Sequence, residues 1–366
     1  MPDWKKPAFG AALLAAALGV GAWLLLRQVS LSSLLAALAK VSPLWLLAGL
    51  GCMAAYEALE ALGSRTILRS LGHRVAFRRC LGYSMLGFCG SSITPSSSGG
   101  QPFQVWAMRR DGIPVAHGSL NMLLLAVCYQ TAMLLGGGIG LALLGGVPAT
   151  GGVGLLLLLG VSVNLALTLG MAAVMFLPGP VRRLMSGGLG LLTRIGLVKR
   201  PEAAREKVEE GLAQYAAGAR LIRSSPLLVI RVLALALLEV LALALVPWVV
   251  CLALGLKAGV AALATQMVLT LSVAAFPMPG AVGAAEGGFL VLFQAVFGTL
   301  AAPAMLLSRG ISFYLFLPLC AVGAAVLNRR RFHGPGGGRK RLARPERAGR
   351  KGLPQPEKET MALESA

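Results

Sequence analysis

Acidic residues are scarce in this chain: Asp and Glu number 14 against 34 Lys and Arg, and all four types together make only 13% of 366 residues. A soluble core of that size needs far more charge to cover its surface, so a soluble globule is excluded. Histidine is nearly absent as well. His73, His117 and His333 are scattered, and the six cysteines (Cys52, Cys80, Cys89, Cys128, Cys251, Cys320) show neither CxxC nor Cys/His ligand spacing. No metal site and no disulfide frame is expected, and the cysteines read as small buried hydrophobes. The chain has no Walker A motif and no GxSxG, HExxH or Ser/His/Asp arrangement, so no cofactor, ATP hydrolysis or visible hydrolytic machinery is expected.

What the chain does have is apolar length. It is 56% hydrophobic, with a mean hydropathy of +0.75, and carries several uncharged runs above 18 residues. The expected fold class is an all-α polytopic integral membrane protein. Spans are predicted at 8–26, 44–63, 117–144, 152–177, 227–254, 258–276 and 303–327, with a weaker segment at 287–300. This gives six to eight crossing helices plus one or two re-entrant broken hairpins. Residues 1–327 read as the membrane domain and 328–366 as a basic, disordered tail. The run Ala8–Leu26 follows Trp4-Lys5-Lys6 like a signal sequence, but lacks a small-x-small cleavage site and reads as a retained first helix.

The net charge of +20 sits in loops and tails beside these runs. That distribution fits the positive-inside bias and acidic lipids, not nucleic acid, since no aromatic platform or nucleic-acid fold motif accompanies it. Residues 64–79 hold Arg65, Arg69, Arg74, Arg78 and Arg79; loop 178–226 holds nine basic residues and the tail after Leu327 eleven, whereas linkers 27–43, 145–151 and 255–257 hold Arg27, Lys40 and Lys257. The N-terminus, both basic loops and the tail are therefore expected in the cytoplasm of a bacterial cell, the chain spanning its inner membrane. Within the long loop, Val208, Leu212, Tyr215, Ala219 and Ile222 form an amphipathic stripe, read as a helix lying on the membrane or packing on the bundle.

Parity then points to the first functional segment. An apolar run of 15 residues, Cys80 to Thr94, ends in a turn rich in hydroxyls and glycine. Fifteen helical residues rise about 22 Å, short of the roughly 30 Å hydrocarbon core. With cytoplasmic ends at Gly63 and Ala116, segment 80–102 enters and leaves on one face. The same reasoning makes 258–300, broken at Pro277-Met278-Pro279-Gly280, either two crossings or a hairpin from the outer face. Broken backbone at membrane depth is tolerated only where protein or a water-filled cavity surrounds it, which is where a membrane protein handles polar cargo.

The candidate binding residues follow. At the first break they are Thr94, Ser96, Ser97, Ser98, Gly99, Gly100 and Gln101, ahead of Pro102; free amides and hydroxyls at a helix start form an anion pocket, or else they satisfy only their own broken backbone. Arg109 waits at the cytoplasmic mouth. At the second break they are Pro279, Gly280, Gly283 and Glu286. Ionisable residues inside spans cost at least about 2.5 kcal/mol each and usually face the interior and pair. Glu239 and Arg309 are the strongest of these. Glu57 and Glu60, at i and i+3 near the predicted end of their span, either face inward or snorkel to the interface. Gly136 and Gly140 fit close helix packing.

Two of these patterns carry a resemblance. Thr94-Pro95, small residues, Gly99-Gly100-Gln101-Pro102 and then Arg109-Arg110-Asp111-Gly112-Ile113 are similar to the first signature of the flippase-like transmembrane family. Pro277-x-Pro279-Gly280-x-x-Gly283 with Glu286-Gly287 resembles the second, departing at Ala281, where a second glycine is common. That family forms the membrane half of bacterial lysylphosphatidylglycerol synthases (multiple peptide resistance factor) and also occurs as stand-alone proteins. The resemblance covers about residues 8–327 and implies movement of aminoacylated or related phospholipids between leaflets. No stretch after Leu327 is long enough for aminoacyl-tRNA-dependent transfer, so lipid synthesis is not expected.

The expected mechanism places half-helix ends and Arg309 on a phosphate, and Glu239 or Glu286 on a cationic headgroup. Membrane phospholipids are the expected partners, with a homodimer left open. Two other readings stay open: a membrane-embedded lipid- or polyprenyl-linked transferase, and a regulatory subunit without transport.

Overall fold

The computed structural model describes residues 42–94, 99–146, 152–176, 183, 187, 201–257, 259–274 and 283–329. The predicted span 8–26, the tail beyond Arg329 and the centres of both breaks, with Ser96, Ser97, Ser98, Pro279 and Gly280, lie outside them. Every described element is helical: α1 (Pro43–Ser70), α2 (Phe77–Ile93), α3 (Gly100–Arg110), α4 (Val115–Leu143), α5 (Val153–Phe176), α6 (Pro201–Arg223), α7 (Pro226–Ala253), α8 (Val260–Val273), α9 (Ala284–Leu292), α10 (Ala301–Arg309) and α11 (Phe316–Arg329). A π-helical turn, Gly310–Tyr314, joins the last two, marked by Leu315 N–H donating to Gly310 O at 2.7 Å. Among the described residues five helical stretches are long and apolar enough to cross a membrane: Pro43–Ser70, Val115–Leu143, Gly154–Met175, Pro226–Ala253 and Gln294–Leu327.

Polar faces are few on these helices, and large aliphatic side chains point outward instead. Leu155, Leu158 and Leu169 on α5 and Ile230 on α7 are each more than three-fifths exposed, an apolar outer wall suited to lipid. Inside, α1 and α7 share the most extensive helix interface. Close approach rests on small residues, as in membrane helix packing generally. A methyl group on Gly136 would stand 3.2 Å from Val240 Cγ1, and one on Gly140 would stand 2.7 Å from Ala264 O, so both glycines serve the packing expected of them. Polar ties between helices add to this: Asn121 donates to Ser64 at 2.8 Å and Asn164 to Gln130 at 2.6 Å.

The first break folds as a helical hairpin. At about 26 and 16 Å long, α2 and α3 are each too short for the hydrocarbon core, and they lie antiparallel. A methyl group on Gly87 would collide with Gln104, and one on Gly90 with Phe103. The two open ends meet, because Tyr83 OH donates to Asp111 Oδ2 and Arg79 Nε lies 4.0 Å from the same oxygen. Arg79 also donates to Leu327 O at 3.1 Å, tying the hairpin base to α11. This is the geometry that parity requires of 80–102. The second break follows suit: α8 and α9 are about 21 and 14 Å long, and Gly288 nestles against Leu269. Those lengths fit a hairpin rather than two crossings.

The amphipathic stripe of the long loop packs on the bundle. Tyr215 and Ile222 are buried, and Tyr215 OH donates to Val174 O at 3.0 Å. Gly218 lies against Leu71, Leu120 and His117, beside an imidazole pair in which His73 Nε2 and His117 Nδ1 are 2.8 Å apart.

Two outcomes test this packing. A methyl group on Gly160 would lie 2.3 Å from Leu271 O, whereas Gly170 on the same helix meets nothing within 4 Å. Gly160→Ala is expected to destabilise the detergent-solubilised protein by about 1–3 kcal/mol through overpacking, and Gly170→Ala to leave it unchanged or up to about 1 kcal/mol more stable; thermal unfolding reads both. Partial burial holds the His73 ring below its ordinary value of 6.5. A base that takes up its proton less readily when folded stabilises above the unfolded value and loses that contribution as pH falls through it. Protection against hydrogen exchange in residues 71–76, taken relative to the intrinsic rate at each pH, should therefore fall as pH drops from 7.5 to below about 6, and His73→Gln should flatten that response.

Candidate functional site

The centre of the molecule is a set of carboxyl groups on two packed helices. Glu57 stands fifteenth of 28 residues in α1 and Glu239 fourteenth of 28 in α7. Helices of that length rise about 42 Å, so both residues fall near the bilayer midplane. Glu60 lies one turn beyond Glu57, and Glu239 faces both across the α1–α7 interface. The phenols of Tyr56 and Tyr129 close the group, Tyr56 OH donating to Tyr129 OH at 3.3 Å with the rings edge to face. From the hairpin, Gln104 donates its amide to Glu60 Oε1 at 2.9 Å.

Donors are short here. Glu57 is fully buried, and neither of its oxygens has a hydrogen-bond partner; the buried Gln104 Oε1 has none either. No Lys or Arg among the described residues pairs with Glu57, Glu60 or Glu239. The described residues also contain no group of three His, Cys, Asp or Glu arranged to hold a metal ion. A buried acceptor without a donor costs about 1–3 kcal/mol, and more when charged. The arrangement therefore has room in its chemistry for a species that brings donors and positive charge.

This corrects the snorkelling alternative for Glu57 and Glu60. The span predicted to end at Gly63 runs on to Ser70, because a helix can carry Arg65 and Arg69 out through the interface without unwinding. The two glutamates thereby move from the predicted end to the middle. Gln101, the expected pocket residue, is exposed, and so is Arg109. The inward face of α3 is Gly100, Gln104, Ala107 and Met108, so the helical period counted from Gly100 would have found Gln104. Tyr56 and Tyr129 were also missed; their only signal was an aromatic hydroxyl inside an apolar run, which needs a partner when buried.

The first break is stapled by its own side chain. Thr94 Oγ1 donates to Gly90 O at 2.7 Å and accepts from Gly99 N–H at 2.8 Å, so this hydroxyl satisfies broken backbone rather than standing open. At the second break Gly283 has φ +87°, a left-handed conformation suited to glycine. Its N–H donates to Glu286 Oε2, and Glu286 Oε1 accepts from Arg309 Nε at 2.8 Å, both side chains being largely buried. Arg309 pairs with Glu286 and not with Glu239, and its guanidinium lies over Phe313 at 4.9 Å. The sequence candidates thus divide into two places, Glu239 at the central cluster and Gly283, Glu286 and Arg309 at the second break. Beside that break runs an apolar cleft of about 240 Å³ lined by Leu156, Leu269, Val273, Gly287, Gly288 and Val291.

Comparison with known proteins now decides the family. The chain belongs to the lysylphosphatidylglycerol synthase TM region family. The match spans residues 9–320 and so takes in both breaks and all three central glutamates. No curated protein and no solved structure matches the chain.

Which polar residue of α3 faces inward is directly testable. Gln104→Leu removes the amide that donates to Glu60 and should lower stability by about 1–3 kcal/mol, whereas the exposed Gln101→Leu should shift it by no more than about 0.5 kcal/mol. Equal effects in thermal unfolding would refute the assignment.

Proposed function

We propose that this membrane protein translocates a phospholipid with a cationic, aminoacylated headgroup between leaflets of the bacterial inner membrane, its N-terminus, basic loops and tail facing the cytoplasm. The observation that carries the reading is the donor shortage at the midplane. Among the described residues, Glu57 Oε1 and Oε2 and Gln104 Oε1 are buried acceptors without a partner, and the groups beside Glu60 and Glu239 are neutral ones: the Gln104 amide, the Ser84 hydroxyl and the Tyr56 phenol. A primary ammonium brings three N–H donors and a positive charge in a compact group, and charge-assisted bonds to carboxylates are the strong kind. Membrane phospholipids supply such groups in quantity.

The rest of the architecture supports passage. The hairpin of α2 and α3 lays Gln104 against the cluster while its own base is tied off by Asp111. Acyl chains remain outside, along the apolar outer wall, and the cleft beside α9 has the size and lining for part of one. Arg309, engaged by Glu286, acts in this reading as a tie that fixes α9 against α10 and not as the phosphate receptor.

Purified protein in phosphatidylglycerol vesicles, with a trace of fluorescent lysyl-phosphatidylglycerol, gives the test. Lipid movement should exceed that in protein-free vesicles and favour the lysyl lipid over its unmodified parent. Glu239→Gln should slow it about tenfold or more, the loss expected for one bond to a charged group. Rates equal to protein-free vesicles would sink the proposal, and so would chemical conversion of the lipid in place of movement.

A further inference from the structure

The same cluster raises a question about the state without cargo. Three carboxyl groups share one buried space, two of them (Glu57 and Glu239) on facing helices at their midpoints. Among the described residues, the titratable groups within electrostatic reach of Glu57 are acidic in kind: Glu60 on α1, Cys89 on α2, Tyr129 on α4, Glu239 on α7 and Cys320 on α11. Among the described residues no Lys or Arg forms an ion pair with the cluster: Arg79 lies by Asp111 and Arg309 holds Glu286. An isolated ionised carboxylate in such surroundings is neutralised by a proton when nothing else offers positive charge.

The hydrogen bonding of the cluster points to the same ligand. Glu57 Oε1, Glu57 Oε2 and Gln104 Oε1 are all acceptors, all buried, and all lack a donor. A proton on a carboxyl oxygen is also a hydrogen-bond donor, so it answers the charge and the bonding deficit together. An ammonium headgroup does the same, which makes the two occupants alternatives for one place.

We propose that the Glu57–Glu60–Glu239 cluster is a proton-binding site at which protons and the cationic headgroup exchange, so that a proton gradient drives the lipid across. This rests on the reading that the chain translocates a cationic lipid. In the empty state the carboxyls carry protons. Arrival of the ammonium supplies charge and donors, the displaced proton leaves to the water on the side from which the headgroup came, and departure on the other side is completed by a proton taken up there. Each exchange is electroneutral, one positive charge for another. The direction of net lipid movement is then set by the pH difference.

The experiment uses the full chain in phosphatidylglycerol vesicles with pyranine inside and fluorescent lysyl-phosphatidylglycerol in one leaflet. With a gradient of about one pH unit, the steady leaflet ratio should shift about tenfold per proton exchanged, the lipid gathering on the more acidic side. Conversely, lysyl lipid placed in one leaflet should move lumenal pH without any imposed gradient. Glu57→Gln, which keeps the shape but removes the titrating group, should abolish both responses; Glu239→Gln serves as the second variant should the first fail to purify folded. Lipid movement in the wild-type protein with the same leaflet ratio at every gradient, and with no change in lumenal pH, overturns the exchange while leaving translocation standing. Absence of any lipid movement overturns both. A full response retained in Glu57→Gln overturns the assignment of the proton to this cluster.

Discussion

Two glutamates facing each other halfway along a packed helix pair, neither paired with a Lys or Arg of the described residues, are the constraint around which the rest is arranged. An uncharged core would pack α1 against α7 at lower cost. Buried polar groups are rarely neutral in energy, and a half-satisfied network is worse than an apolar one. Glu57 buries both oxygens without a donor, so the folded protein carries a local penalty in its resting form. Structures retain such penalties where another state relieves them. The surrounding fold is correspondingly well tied, with small-residue contacts that bring backbones close at Gly140 and Gly160 and interhelical amide bonds at Asn121 and Asn164.

The two breaks, alike in sequence, solve different problems. The first is turned into a tight hairpin by glycines at 87, 90 and 100 that let α2 and α3 approach, and by Thr94, which bonds to backbone on both arms of the turn. Its product is a side chain, Gln104, delivered to the carboxyl cluster. The second break is closed on itself: a glutamate caps its own helix through Gly283 and is in turn neutralised by Arg309. Breaking a buried pair of that kind leaves an uncompensated charge and costs about 3–5 kcal/mol. A π-helical turn follows Arg309 directly, and Phe313 within it lies against the guanidinium. One break therefore feeds the polar centre and the other holds a frame.

Much of this was legible in the residues. Helix class followed from run length, and the hairpin at 80–102 from counting sides, a global argument that needs no knowledge of packing. Gly136 and Gly140 were correctly read as packing residues because a small side chain in an apolar helix has little other use. What escaped was whatever depends on rotation about a helix axis. Gln101 and Gln104 are equally polar, and only the phase set by Gly100 against Gly87 decides which enters. The pairing of Arg309 was legible as a need but not as a partner, since Glu239 and Glu286 satisfy the same requirement in one dimension. The boundary error at Gly63 had the largest consequence. A charge in the sequence looks like the edge of the membrane, yet arginine stems reach the interface from inside it, and the helix had a further turn to run.

The imbalance between donors and acceptors also bears on why the hairpin does not cross. A full transmembrane helix presents no free amide at the midplane, because each N–H is consumed within the helix. Delivering a neutral donor such as the Gln104 amide from a helix that begins near that depth keeps the side chain short and its geometry fixed, while Gly100 packs so close to Gly87 and Ser91 that the helix start has no lateral freedom. A crossing helix could place a glutamine at the same height, but it would fill the space on the far side of the cluster with its own continuation. Ending the helix there leaves that volume open to a polar group that enters from the bilayer edge. The short helix thus presents a donor to the carboxyls without sealing them, and that requirement accounts for a break in a place where unbroken apolar helix would be more stable.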